Sequence, residues 1–113
     1  MKVSILSTIG TPNAIIQKFG LLVFNKVSEL IDEAEQQVIE LSFEGLENIT
    51  TGFCNASIGN LYKKYGLILD SKIEFTGFES NEHWKERVKD AKALALNPEL
   101  ESELDKEIEK LFE

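Results

Sequence analysis

The sequence predicts an α/β fold, a small parallel or mostly parallel sheet in the order β-α-β-α-β-α-α. Three observations predict it. Three runs of strand character, Val3–Leu6, Val38–Phe43 and Lys72–Thr76, are spread along the chain. Stretches with the 3.6-residue apolar period separate them, and start and stop signals bound those stretches. Strands that alternate with helices of this length join as parallel neighbours through crossovers. No repeat, low-complexity segment or linker divides the 113 residues. The chain is therefore taken as one domain, 1–113, whose last stretch, 98–113, is an amphipathic helix.

The elements follow in order. Val3–Leu6 reads as a short strand. Thr11-Pro12 reads as a helix start, with threonine at the N-cap and proline at the first helical position, where its missing N–H costs nothing. Ile15, Ile16, Phe19, Leu22, Val23, Val27, Leu30 and Ile31 then mark one broad face running to about Ala34. Gly20 interrupts this helix, where it permits close packing or a bend. Leu21 and Phe24 lie off the stripe. Val38–Phe43 is a buried-type strand that connects through Gly45 to a central helix opening near Thr51. Cys54, Ile58, Leu61, Tyr62 and Tyr65 share one face of that helix. Lys63 and Lys64 suit its last turn, and Gly66 its left-handed end. After the short apolar linker Leu67–Leu69 and the alternating strand Lys72–Thr76, Ser80 or Asn81 caps a helix with Trp84, Val88, Ala91 and Ala95 on one face. Asn97-Pro98 ends that helix and begins the last one, which carries Leu100, Leu104, Ile108 and Leu111.

Composition excludes several function classes. Twelve lysines and arginines against twenty carboxylates give a net charge of −8, which disfavours nucleic acid and an anionic membrane surface. One cysteine forms no internal disulfide, no charged-then-apolar leader opens the chain, and the apolar runs are too short for a membrane span. A soluble cytoplasmic domain is the expectation.

Candidate sites are few. Thr50-Thr51-Gly52 places a hydroxyl pair where strand hands over to helix. One threonine serves as the cap, and either is a candidate phosphoacceptor, because a phosphate at a helix N-terminus meets free N–H groups and the positive dipole end. Gly52, Phe53 and Asn55 are candidate partner contacts beside it. Cys54 is in phase with Ile58 and Leu61 and reads as core rather than nucleophile, with the single histidine, His83, on another helix. Asn55 and Asn60 read as surface amides. Trp84 reads as core, and the carboxylates Glu99, Glu101, Glu103 and Asp105 as a solvated face. The Gly10-Thr11 turn offers a weak anion seat ahead of the expected helix. No metal-ligand spacing is present and no cofactor is expected.

At the central stretch the chain resembles a known family. Ser42-Phe43-Glu44-Gly45-Leu46, Ile49-Thr50-Thr51-Gly52-Phe53 and Asn55-Ala56-Ser57-Ile58-Gly59-Asn60-Leu61-Tyr62 are similar to the STAS-like domain family of unknown function, with a looser likeness over Val3–Leu96. The resemblance implies architectural kinship with STAS domains, the anti-sigma-factor antagonist class. There a serine or threonine at the matching strand-to-helix turn is phosphorylated by a partner kinase of the GHKL ATPase type, which releases the antagonist. By position Thr51 matches the acceptor, with Thr50 where that class usually has aspartate. The leading expectation is a non-enzymatic regulatory or protein-interaction module, switched by phosphorylation at Thr51 or Thr50. A second reading is a small nucleotide-binding domain or enzyme using the Gly10-Thr11 turn or Cys54. A third is a structural homo-oligomer built on Leu21, Phe24, Phe112 and the last helix.

Overall fold

In the computed structural model, which describes residues 1–33, 37–78 and 81–97, strand β1 (Lys2–Ser4) is shorter than the sequence predicts. Ser4 ends it by capping a one-turn helix, α1 (Ile5–Ile9), with its hydroxyl accepting from the Ser7 N–H at 3.2 Å. Ile5 and Leu6 are therefore helical. Gly10, at φ 75°, closes α1 with a bond from its N–H to the Leu6 carbonyl.

Thr11-Pro12 does not start a helix. The Pro12 carbonyl accepts from Glu47 N–H at 2.7 Å and Asn48 N–H at 3.3 Å, and Asn13–Ala14 continues as strand β2. Helix α2 (Gln17–Glu33) begins only afterwards. The tertiary pairing wins over the local cap signal by holding the chain extended past the proline. As a result α2 buries Gly20, Val23, Val27, Ser28 and Ile31, whereas Ile15, Ile16 and Leu22 are exposed rather than core.

Strand β3 (Ile39–Ser42) and the short β4 (Asn48–Ile49) flank the Gly45 turn, and β4 is the parallel partner of β2. A continuous helical run follows: α3 (Thr51–Cys54), a π-helical turn (Asn55–Gly59) and α4 (Asn60–Tyr65). Gly66 closes it at φ 69°, but with ψ −155° it leaves the left-handed helical region and leads into a 3-10 turn, Gly66–Ser71. Strand β5 (Ile73–Thr76) and helix α5 (Glu82–Leu96) complete the described chain. Asn81 caps α5 through its side-chain oxygen, 3.2 Å from the Trp84 N–H. Val88, Ala91 and Ala95 are buried along α5, and Trp84 is half-buried. The expected last helix, 98–113, lies outside the described residues.

The main sheet has the order β1-β3-β5 and is parallel throughout. Its register stacks Val3, Leu41 and Phe75 in one row and Lys2, Glu40 and Glu74 in the next. Period-2 alternation sends these rows to opposite faces. The first row joins the core, where Ile39, Leu41 and Phe43 are fully buried. The second is polar: Lys2 pairs with Glu40 at 3.7 Å, and Thr76 donates to Glu40 at 3.1 Å. The central helical run lies between α2 and α5. A Cβ placed on Gly20 would stand 2.6 Å from the Ala56 Cβ and 2.7 Å from the Phe53 carbonyl oxygen. Only a glycine lets α2 approach this closely.

Candidate functional site

The N-terminal end of the central run is built from two threonines with different duties. Thr50 is extended (φ −120°, ψ 163°) and is the N-cap. Its Oγ1 accepts from the Phe53 N–H at 3.2 Å and donates to the Ile15 carbonyl at 2.9 Å, so the hydroxyl is used twice. Its backbone N–H reaches the Ala14 carbonyl. Thr51, the first helical residue, is exposed, as is Asn55, and Gly52 is half-buried. Of the two adjacent threonines, Thr51 is therefore the one without a capping duty. Phe53 corrects the sequence-based expectation: it is 0% exposed and belongs to the core, so it offers no ring to a partner.

The sequence reading missed what lies beside Thr51. Ile15 and Ile16 are 48% and 45% exposed, and Leu21 and Leu22 are 46% and 42% exposed on the first turns of α2. The Thr50–Ile15 bond and the nearness of Gln17 to Gly52 hold this apolar stretch against the turn. The period alone assigned Ile15 and Ile16 to a buried face; only the β2–β4 pairing moves them out. Arg87, the single arginine of the chain, was also missed. It crosses from α5 to donate to the Ile49 carbonyl at 2.6 Å, next to Thr50.

The π-helical turn follows one residue after Cys54. The Asn60 N–H bonds the Asn55 carbonyl, five residues back. The register shift leaves the Ala56 carbonyl without its usual partner, and Asn60 Nδ2 fills that place at 2.8 Å. Asn60 is half-buried and structural, not a surface amide. Ser57, fully buried, donates to the Phe53 carbonyl at 2.8 Å.

Two tyrosines tie down the far end of the run. Tyr65 donates to Asp32 at 2.8 Å, and Lys64 pairs with the same carboxylate at 3.3 Å, linking α4 to α2. These contacts, the tyrosine bond first, hold the Asp32 carboxyl below its ordinary range. Tyr62 donates to Asp70 at 2.6 Å, and Lys92 of α5 meets that carboxylate at 2.9 Å. Burial, then the Asp70 contact, pushes the Tyr62 phenol up, while the Tyr62 bond and then Lys92 hold Asp70 down.

The remaining candidates separate cleanly. Cys54 is 0% exposed, and burial pushes its thiol up to about 12, against the weaker opposing pull of Arg87. A thiol so placed is inert as a nucleophile. The Gly10-Thr11 turn precedes β2 instead of a helix, so the helix N–H groups that made it an anion seat are not there. His83 is exposed near the start of α5. Leu21 is exposed and Phe24 half-buried against the core, while Phe112 lies outside the described residues. Among the described residues no group of three His, Cys, Asp or Glu side chains is placed to hold a metal. No helix among them is long and apolar enough to cross a membrane.

A parallel β1-β3-β5 sheet, with a threonine-capped helix leaving the loop after its middle strand, is the architecture expected of STAS-like chains. Residues 20–83, more than half of the chain and including the whole Thr50–Asn55 turn, match the family model described as a STAS-like domain of unknown function. The protein belongs to this family. No curated protein and no solved structure matches the chain.

Proposed function

We propose that this protein is a non-enzymatic STAS-like interaction module that holds a protein partner against Ile15, Ile16, Thr51, Gly52 and Asn55. The carrying observation is the pair of half-exposed isoleucines beside the exposed Thr51. Clustered apolar surface of this kind marks contact sites, and burying the exposed part of each isoleucine contributes about 1 kcal/mol to association. The sealed Cys54 supports a role without covalent chemistry.

Regulation enters through Thr51. A phosphate there adds about −1.5 to −2 charge at the positive end of a helix, which accommodates it in the free protein. Docking would then strip water from that charge against an apolar surface, so phosphorylation weakens the complex. A kinase of the GHKL ATPase type is the partner class the STAS resemblance implies.

Affinity purification from native cells, with mass spectrometry of co-purifying proteins and of the Thr50–Cys54 peptide, tests the reading. A partner retained by wild type and by Thr51→Ala should be lost by Ile15→Lys/Ile16→Lys and weakened by Thr51→Glu, at unchanged melting temperature. Equal retention by all four proteins would sink it.

A further inference from the structure

We propose that the open edge of β5, with the lysine side of α5, is a second docking site, which takes an extended acidic segment of a partner protein as an added strand. Strand β5 is the last in the order β1-β3-β5, so among the described residues only one of its sides is paired. The Ile39 N–H reaches the Lys72 carbonyl at 2.9 Å, and the Phe43 N–H reaches the Thr76 carbonyl at 2.8 Å. Lys72, Glu74 and Thr76 therefore turn their backbone groups to β3, and the alternation turns those of Ile73 and Phe75 outward. The Ile73 carbonyl and the Phe75 N–H and carbonyl have no hydrogen-bond partner among the described residues. Such a row is a template for another strand.

A cleft of about 330 Å³ lies along this edge, between β5 and α5. Its floor is apolar, with Ile73, Phe75 and Val88, and its rim carries Lys85, Lys89 and Lys92. Helix α5 starts soon after β5 ends, and its Lys92 reaches Asp70, just ahead of β5, so the helix runs antiparallel beside the strand. Asp70 is the only carboxylate among the described residues that line the cleft, and it is already engaged, by Lys92 at 2.9 Å and by the Tyr62 hydroxyl at 2.6 Å. Lys85 meets only the exposed Glu82 at 3.6 Å, and Lys89 has no ion pair among the described residues. Spacing and sign then specify the occupant. Lys85 and Lys89 are four residues apart, about 6 Å along the helix. Alternate residues of a strand share a face and stand about 6.6–6.8 Å apart. Carboxylates at two alternate positions of the added strand thus meet one lysine each, and an apolar residue at the next such position covers Ile73 and Val88. A second copy of this chain suits the edge poorly. Antiparallel pairing of β5 with its own copy would put both α5 helices on one face of the joined sheet, with like lysine edges opposed. The site lies at the Tyr62–Asp70 end of the central run, separate from the Thr51 surface.

The test is titration of the isotope-enriched full chain with a blocked synthetic peptide, Leu-Thr-Glu-Thr-Glu-Thr, followed by amide shifts and hydrogen exchange. Saturable shifts should be confined to residues 73–78 and 85–92, and the Phe75 amide, fast to exchange in the free chain, should be slowed. Lys85→Glu/Lys89→Glu should weaken binding about tenfold, while Lys85→Arg/Lys89→Arg should keep it. Of two peptides N-methylated at alternate amides, one in each phase, only one should bind. Absence of saturable shifts overturns the proposal. So does equal binding of a peptide with lysine in place of glutamate, binding that survives the charge reversal, or binding of both N-methylated peptides. A Phe75 amide already protected in the free chain would put another part of the chain on this edge, and protection that grows with protein concentration alone would put a second copy there; either overturns it as well.

Discussion

The Tyr62 hydroxyl donates to the Asp70 carboxylate at 2.6 Å, and this bond locks the end of the central helical run to the 3-10 turn that follows it. The same carboxylate holds Lys92 of α5, whose ammonium lies 5.3 Å from the centre of the Tyr62 ring. Three elements therefore meet at one acidic group. Tyr62→Phe keeps the ring and removes the donor. It should cost about 1–2 kcal/mol, as expected for a hydrogen bond to a charged group partly open to water. Urea unfolding of Tyr62→Phe, Asp70→Asn and the double variant checks it: additive losses would show that the two residues are not coupled.

The same contacts set a pH dependence. Asp70 titrates below its ordinary value of 3.8 in the folded protein, so near that pH the unfolded chain binds more protons than the native one. Stability should be fully present above pH 3.8 and be lost as pH falls through the lowered native value. Tyr62 is raised above its ordinary value of 10.0, so its contribution is fully present below pH 10.0 and is lost as pH rises towards the raised native value. Asp70→Asn should flatten the acid limb, read from denaturation midpoints across pH. An unchanged limb would assign it to other carboxylates.

Adjacent threonines should respond in opposite ways. Thr50→Ala removes the cap to Phe53 and the bond to Ile15, at a cost of about 1–2 kcal/mol. Thr51→Glu should leave stability unchanged or slightly raised, because a carboxylate in the first helical turn suits the dipole. Thermal melts of the two variants separate the structural hydroxyl of Thr50 from the exposed one of Thr51.

Gly20→Ala improves helix propensity by about 1 kcal/mol in isolation. Here the new methyl would meet Ala56 and the Phe53 carbonyl, so overpacking should dominate, with a net loss of about 1–3 kcal/mol in chemical denaturation. Gly20→Ala/Ala56→Gly should recover part of it. A stabilised single variant would mean that α2 can shift away freely.

Cys54 should resist thiol reagents in the native protein at pH 8 and react only at the rate of unfolding. Labelling followed by mass spectrometry across a urea series measures this directly. Rapid native labelling would contradict the buried position of the thiol.

Elements with enough length for a period were legible in the sequence. Strands β3 and β5, the central helix with its threonine cap, and α5 with Asn81 all fall where spacing and capping residues put them. The five-residue α1 and the two-residue strands β2 and β4 offer too few positions for a pattern. The β2–β4 pairing is a contact between segments 35 residues apart, which no local rule reads. That contact overrode Thr11-Pro12 and brought Ile15 and Ile16 to the surface. The hydroxyl pair at Thr50-Thr51 was visible from residue types alone; which of the two is engaged depended on Ile15, placed by that distant pairing.

The π-helical turn at Asn55–Gly59 lets the helical path accommodate one residue beyond a regular α-helix. Each α-helical residue turns the chain by about 100°, so deleting one residue there would rotate Thr51 and Asn55 by roughly that angle about the axis relative to Tyr62 and Tyr65. The turn is thus a phase setter. With the tyrosine end clamped to Asp32 and Asp70, it decides the compass bearing at which Thr51 faces outward.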